Sequence, residues 1–219
     1  MTPDLITLND ARSSQAEAYR SLRTNLEFSS LDHPIHTLLV TSAVPDEGKS
    51  TTLANLGVIS AQAGKRVVLL DCDLRRPRLH EFFELSNNVG VTTALLNAEA
   101  TLPLQATSVP NLRVMTSGPL PPNPADLLAS ARMKALLEQV AADADLVLLD
   151  APPVITVTDA ALLAAKVDGV LLVVSAGHTK RDHAQRAKAL LAKVNARLVG
   201  AVLTNAAVDA SAYGVYGQD

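Results

Sequence analysis

Short, continuous apolar runs recur along this chain and alternate with longer segments of helical periodicity. Continuous runs are typical of strands that are buried on both faces of a parallel sheet. The runs predicted as strands are 37–41, 67–70, 112–115, 146–149, 170–174 and 198–203. The helices predicted between them are 15–28, 50–63, 125–141, 158–166 and 180–195. Because this alternation needs right-handed crossovers, we predict a single-domain, three-layer α/β/α fold with a mostly parallel sheet over residues 1–208.

Composition, net charge and cysteine count exclude several classes of protein. The chain has 219 residues, of which 48% are hydrophobic, and this suffices for one ordinary core. A formal net charge of -3 argues against nucleic acid as the main partner. The single cysteine, Cys72, excludes a disulfide framework and fits a reducing compartment. No signal-peptide pattern opens the sequence, and Lys166 and Asp168 interrupt the best apolar stretch, so we expect a cytoplasmic chain.

Three further segments of the chain are not predicted as strands or helices. The proline-rich stretch 119–124 is predicted to lead into a helix with Asn123 as its N-cap and Pro124 in its first turn. Residues 84–111 show no clear period and receive no assignment. Residues 209–219 are predicted to form a flexible tail.

A phosphate-binding loop is predicted at residues 43–51, between the first strand and the following helix. The segment has P-loop spacing, with Ala43 where the first glycine usually stands. Backbone N–H groups and a helix N-terminus would surround phosphates with partial positive charge. Lys49 adds a full charge near the β- and γ-phosphates, and the Ser50 hydroxyl can reach Mg²⁺. The residues predicted to contact ATP are Asp46, Glu47, Gly48, Lys49, Ser50 and Thr51.

Acidic residues stand at the ends of two later strands. Asp71 and Asp73 follow the run 67–70, and Asp150 follows the run 146–149 in a Walker B pattern. Residues two apart in an extended segment point the same way, so both Asp71 and Asp73 are expected to face the strand-end crevice. A cap or turn role would explain any one of these aspartates alone. Three of them beside a P-loop predict a site for a nucleotide and Mg²⁺.

An arginine-rich segment follows the first two aspartates. Residues 75–78 read Arg-Arg-Pro-Arg, and they fit either contact with phosphate or an acceptor carboxylate, or a solvated charged turn. The pattern leaves both interpretations open. Cys72, between the aspartates, is interpreted as a small buried residue at a strand end.

Four motifs in this order resemble those of the bacterial tyrosine kinases of capsule and exopolysaccharide synthesis. They are Glu17-x-x-Arg20-x-x-Arg23, Asp46-Glu47-Gly48-Lys49-Ser50, Leu70-Asp71-Cys72-Asp73-Leu74-Arg75-Arg76-Pro77 and Leu149-Asp150-Ala151-Pro152-Pro153. The resemblance spans about residues 5–205. It implies membership of the deviant Walker, MinD/ParA-like superfamily of P-loop NTPases, to which these kinases belong. It implies an ATP- and Mg²⁺-dependent protein-tyrosine kinase.

The resemblance also implies roles for individual residues. The implied catalytic residues are Lys49, Asp71, Asp73 and Asp150. The implied Mg²⁺ ligands are Ser50, Asp73 and Asp150. Asp71 would act as the base or the orienter for the acceptor tyrosine hydroxyl. Asn205, which follows the last strand, would face the adenine.

Assembly is implied by the same resemblance. Glu17, Arg20 and Arg23 on helix 15–28 would mediate homo-oligomerisation into a ring, although a solvated, salt-bridged helix face would show the same residues. The tyrosine tail of one subunit would enter the active site of the next. The implied phosphoacceptors are Tyr213 and Tyr216, in a tail shorter and poorer in tyrosine than is usual for the family. A transmembrane adaptor of the polysaccharide co-polymerase type would recruit the chain to the inner face of the cell membrane.

Two other functions remain open from the sequence. A MinD/ParA-like switch ATPase would change oligomeric state without phosphorylating protein, but such proteins usually carry an extra lysine where this chain has Val44-Pro45-Asp46. A nucleotide-binding regulator with negligible turnover, docked on a membrane partner, is the third candidate. The combination of Lys49 with the three aspartates favours a catalytic function over nucleotide binding alone.

Overall fold

The computed structural model describes residues 5–29, 31–97 and 101–207. The predicted tail and both predicted phosphoacceptors, Tyr213 and Tyr216, lie outside these residues. The helices are α1 (Ile6–Asn9), α2 (Ser14–Ser29), α3 (Lys49–Gln62), α4 (Leu79–Phe82), α5 (Val91–Leu96), α6 (Pro124–Ala129), α7 (Ala131–Ala142), α8 (Asp159–Ala164) and α9 (Arg181–Lys193). The strands are β1 (Thr37–Ser42), β2 (Val67–Asp71), β3 (Gln105–Ala106), β4 (Leu112–Met115), β5 (Leu146–Asp150), β6 (Gly169–Ser175) and β7 (Leu198–Thr204).

The described strands form one seven-stranded sheet in the order β3-β4-β2-β5-β1-β6-β7. All neighbours are parallel except β3, which pairs antiparallel with β4 at the edge. The predicted mostly parallel α/β fold is therefore confirmed. β2 and β5 are in register so that Asp71 lies beside Asp150. This pairing brings two of the predicted acidic residues together at the carboxyl end of the sheet.

Two hydrophobic clusters, one on each face of the sheet, give the three layers. Successive residues of β1 alternate between them: Leu38 and Val40 pack with α2, α3 and α4, and Leu39 packs with α5 to α9. The continuous apolar runs arise because both strand faces are covered. At the centre of one face, Gly57 of α3 lies so close to β2 that an added Cβ would stand 2.7 Å from the Leu69 side chain. This close approach holds α3, and with it the P-loop, against the sheet.

The prediction of one helix over 125–141 is wrong, because the segment forms α6 and α7. Ser130 between them is extended, with φ -61° and ψ 156°, and its hydroxyl accepts a hydrogen bond from the Met133 N–H at the start of α7. A serine N-cap thus divides the segment whose hydrophobic periodicity predicted a single helix. Asn123 stands at the N-cap position of α6, but its side chain makes no capping hydrogen bond within the described chain, while Pro124 occupies the first turn as expected.

Residues 84–111, which received no assignment, contain α5 and the edge strand β3. In this segment the backbone at Gly90 packs directly against the backbone at Thr116. A Cβ on Gly90 would stand 1.9 Å from the Thr116 carbonyl oxygen. The N–H groups of Val91 and Thr92 donate to the carbonyls of Thr116 and Ser117. Such contacts leave no hydrophobic period in the sequence. Over the described ranges, none of the helices has the length and apolarity needed to cross a membrane.

Candidate active site

The P-loop joins β1 to α3 at the carboxyl end of the sheet. Gly48 precedes the first turn of α3 with φ 84°, a left-handed conformation that glycine adopts without strain. Asp46 also has a positive φ of 62°, which aspartate tolerates better than most residues. The loop therefore reaches α3 through two backbone reversals. The free N–H groups of the first helical turn then stand at the cleft, where they can bind phosphate.

Lys49 lies at the centre of a polar cluster formed with Ser50, Asp73 and Asp150. Its Nζ is 2.8 Å from Asp73 Oδ2, 3.1 Å from Asp150 Oδ1 and 3.1 Å from Ser50 Oγ. The Ser50 hydroxyl donates to Asp150 Oδ2 at 2.5 Å. Four of the residues predicted from separate motifs are thus in direct contact.

Asp71 occupies a different position from Asp73. Its side chain is fully enclosed, and Oδ2 accepts hydrogen bonds from the N–H groups of Arg78 at 3.0 Å and Leu79 at 2.9 Å. Oδ1 is buried and makes no hydrogen bond within the described residues. Asp73 lines the cleft, whereas Asp71 lies beneath it. The expectation that both face the crevice is wrong, because β2 ends at Asp71 and the period of two does not continue beyond it.

The electrostatics of the cluster follow from burying three carboxylates around one ammonium group. Burial and the neighbouring charge of Asp150 raise the pKa of Asp71. Burial also raises the pKa of Asp150, against the opposing effects of Lys49 and the Ser50 hydrogen bond. For Lys49, burial lowers the pKa, but the charges of Asp150 and Asp73 outweigh it and the pKa is raised. Lys49 is therefore charged, and two acidic side chains, Asp73 and Asp150, are in contact with its ammonium group.

The donor set fits Mg²⁺. A serine hydroxyl and carboxylates are the hard oxygen ligands that this ion prefers. Among the described residues, no group of three or more His, Cys, Asp or Glu side chains is arranged as a complete metal site. At nucleotide sites Mg²⁺ usually keeps several waters and takes further oxygens from phosphates.

A cleft of about 370 Å³ opens over the P-loop. Its floor contains every loop residue predicted to contact ATP, together with Asp73. The rest of the lining is Pro45 in the loop together with residues of the segments that follow β2 and β5, namely Arg75, Arg76, Arg78, Phe82, Pro152, Pro153, Thr156 and Val157. The cleft is open to solvent on one side, and its size suits a small polar ligand.

Arg75 is exposed beside the cleft and forms an ion pair with a buried carboxylate. Its guanidinium donates to both carboxylate oxygens of Asp159, at 2.8 Å and 3.0 Å, and Asp159 is fully buried. The pair links the segment after β2 to the start of α8. Asp159 is not predictable from the sequence, because it stands at an ordinary helix start with no distinguishing pattern.

Hydrogen bonds to Glu47 hold the P-loop in place, and the contacts of Glu47 with Val44, Thr179 and Thr204 are here called the Glu47 brace. Its buried carboxylate accepts the N–H of Val44 at 3.0 Å and the hydroxyl of Thr179. The Thr179 hydroxyl in turn accepts the N–H of Ser175 at 2.7 Å, and the Thr204 hydroxyl donates to the Glu47 carbonyl at 2.8 Å. The loop is thereby fixed to the ends of β6 and β7. Thr179 and Thr204 carry no sequence motif and were missed.

Asn205 does not line the cleft. It follows β7 with a positive φ of 53°, and its amide donates to the Ser175 hydroxyl at 2.9 Å. The structure thus places it beside the turn after β6. Its contact with adenine stays a prediction.

The three residues predicted for oligomerisation divide into two groups. Arg20 pairs with Glu17 at 2.8 Å and donates to the Ala11 carbonyl at 2.6 Å, on the outer part of α2. Arg23 instead borders a cavity of about 40 Å³ between α2 and α3, where its buried Nε makes no hydrogen bond to a described residue. Glu17 and Arg20 therefore remain available as a surface, and Arg23 packs inward.

Together, the fold and the site define a P-loop NTPase. The ParA family model, described as NUBPL iron-transfer P-loop NTPase, matches residues 34–211. Tyrosine-protein kinase YwqD of Bacillus subtilis (strain 168) is 44% identical over 219 residues, covering 99% of this chain and 92% of the relative.

Two solved structures are similar in fold and sequence. The chimerical protein CapA2B2 has a TM-score of 0.87 and 37% identity, covering 91% of this chain and 88% of the other. The kinase domain of the Escherichia coli tyrosine kinase ETK has a TM-score of 0.87 and 32% identity, covering 94% and 82%. The chain belongs to the family of bacterial tyrosine-protein kinases, as its motifs predicted.

Proposed function

We propose that this chain is an ATP-dependent protein-tyrosine kinase that regulates the synthesis and export of capsular polysaccharide or exopolysaccharide. The observation that carries the proposal is the contact of Lys49, at the floor of an open cleft, with Asp73 and with buried Asp150, to which Ser50 also donates a hydrogen bond. It joins the phosphate-binding and acidic motifs into one site. The named function of the relative from Bacillus subtilis agrees with this chemistry.

The nucleotide-binding roles follow from the contacts. Loop N–H groups and the start of α3 would bind the phosphates, and the Lys49 ammonium would turn from its carboxylate partners toward the β- and γ-phosphate oxygens. Ser50, Asp73 and Asp150 would hold Mg²⁺, which when bound neutralises charge on the transferred phosphoryl group. Catalysis is then mainly positioning and charge neutralisation.

In the reaction, the tyrosine oxygen bonds to the γ-phosphorus, the bond to the bridging oxygen of ADP breaks, and the phenolic proton leaves to water at the open side of the cleft. Asp71 is proposed as the orienter in this step instead of the base. Its enclosed carboxylate fixes the backbone of Arg78 and Leu79, which carries one edge of the cleft. Asp73, which lines the cleft, serves the metal together with Asp150 in this step.

The proposed substrates include the chain's own tyrosines. Tyr213 and Tyr216 are proposed as phosphoacceptors presented in trans, in a homo-oligomer assembled through the surface that Glu17 and Arg20 form on α2. A transmembrane adaptor of the polysaccharide co-polymerase type is proposed as the activator. It would hold this cytoplasmic kinase at the inner face of the membrane.

A two-chain assay tests kinase activity and transfer in trans together. A Lys49→Met chain with an intact tail is the acceptor, and a Tyr213→Phe/Tyr216→Phe chain is the donor. We expect phosphotyrosine on the Lys49→Met chain only when the donor and MgATP are both present. ADP release without any phosphotyrosine would contradict the proposal and favour a switch ATPase. A donor that carries Lys49→Met as well is the matched control.

A further inference from the structure

Part of the cleft lies beyond the residues that the nucleotide roles use. This part, here called the arginine rim, consists of Arg76, Arg78 and Phe82 after β2 and of Thr156 and Val157 after β5. It adjoins the floor that carries Lys49 and Asp73. A group bound at the rim would therefore stand next to the γ-phosphate of a nucleotide held in the P-loop.

The arginine rim is built on a rigid base. The bidentate pair of Arg75 with buried Asp159 ties together the two segments that form the rim. The N–H groups of Arg78 and Leu79 are bound to Asp71, so the backbone that carries the rim arginines is fixed from below. The side chains above this base are therefore presented at defined positions.

The rim combines positive charge with an apolar surface. Arg76 and Arg78 are both exposed, and Arg76 makes no ion pair within the described part of the chain. The Arg78 guanidinium lies 5.9 Å from the centre of the Phe82 ring and 3.4 Å from a Glu81 oxygen that is itself half exposed. A segment that carries an aromatic ring and a nearby carboxylate matches this surface, because the ring can contact Val157 and the exposed edge of Phe82 while arginine binds the carboxylate.

We propose that the arginine rim binds an acidic residue flanking the acceptor tyrosine, and so selects acidic acceptor segments. The inference rests on the proposed kinase function and names the substrate class of its acceptor site. Residues 208–219 of this chain fit the class: they hold both predicted acceptor tyrosines, two aspartates, and neither lysine nor arginine. The charge of Arg76 and Arg78 is complementary to such a segment.

Binding of two peptides tests the proposal without turnover. One peptide copies residues 208–219, and the other carries Asp209→Asn and Asp219→Asn. Affinity for the full chain with MgADP is measured by fluorescence anisotropy at low ionic strength. We expect about fivefold weaker binding of the asparagine peptide, with the difference reduced by salt, as for partly exposed ion pairs. The chain's own tail competes equally with both peptides, so the ratio of their affinities is preserved.

Variants assign the discrimination to the rim. An Arg76→Gln/Arg78→Gln chain is expected to bind both peptides equally, an Arg76→Lys/Arg78→Lys chain to keep part of the difference, and Arg186→Gln, an exposed site on α9, to keep all of it. The affinity for ATP is expected to stay within twofold in each variant, because Lys49 and the loop are intact.

Equal binding of the two peptides by the unmodified chain would overturn the proposal, as would discrimination that persists in the double glutamine variant. A fall in ATP affinity with an unchanged peptide ratio would make the arginines nucleotide ligands and would also overturn it. Phosphorylation is then scored separately with MgATP. Preferential binding of the acidic peptide without phosphate transfer would support the rim and contradict the kinase, so the two failures are distinguishable.

Discussion

Replacing Thr179 by Val removes one hydroxyl from the brace that holds the P-loop. The substitution keeps the volume of the side chain but deletes the donor to the buried Glu47 carboxylate and the acceptor for the Ser175 N–H. Glu47 is 1% exposed, so solvent cannot replace the lost donor. Of its hydrogen bonds to described residues, the carboxylate then keeps the one from the Val44 N–H at 3.0 Å.

The expected cost follows from the loss of a hydrogen bond to a buried charged group, about 2 kcal/mol of unfolding free energy. For a domain of this length, that corresponds to a melting temperature lower by about 4–8 °C. Because the brace fixes the loop, we also expect ATP to bind about tenfold more weakly. Differential scanning calorimetry measures the first effect, and titration of a fluorescent ATP analogue measures the second.

Thr179→Ser is the matched control, since it keeps the hydroxyl, and it should restore most of both quantities. Glu47→Gln combined with Thr179→Val completes a double-mutant cycle, in which the coupling free energy should be at least about 1 kcal/mol. A Thr179→Val chain with unchanged stability and unchanged ATP affinity would refute the reasoning that Glu47 depends on this donor.

Two further predictions concern the core. Gly57→Ala should lower the unfolding free energy by about 1–2 kcal/mol, because its Cβ would overlap the buried Leu69 side chain 2.7 Å away. Gly200→Ala, whose Cβ would meet Leu171 at 3.9 Å, should be nearly neutral in the same urea titration, and equal effects would contradict the close-approach argument. Cys72 is fully enclosed and burial raises its pKa well above the usual value, so alkylation at pH 8 should occur only at the rate of unfolding. Rapid labelling of the folded protein would show that the strand end is open.

The sequence was most informative where one residue type has one physical role. Continuous apolar strands require cover on both faces, and the spacing of Gly48, Lys49 and Ser50 fits a strand-to-helix phosphate loop, so the sheet and the site floor were predictable. Asp73 and Asp150 were placed at the cleft because strands of a parallel sheet end on the same edge.

The remaining features depend on tertiary contacts that leave no pattern. Thr179 and Asp159 act through partners more than 80 residues away, so no local motif marks them. The break at Ser130 was missed because a serine cap interrupts an apolar period without glycine or proline. Asp71 was misplaced because the strand ends at that residue, which alternation along the sequence cannot reveal.

Mass spectrometry of the full chain after incubation with MgATP tests the central claim most directly, with Lys49→Met treated in parallel. The predicted result is phosphate on Tyr213 or Tyr216 of the unmodified chain and none on the variant. Lys49 is required because its ammonium supplies the positive charge that the transferred phosphoryl group needs. An unphosphorylated chain that still converts ATP to ADP would contradict the kinase claim, and phosphotyrosine on the Lys49→Met chain would contradict the assigned site.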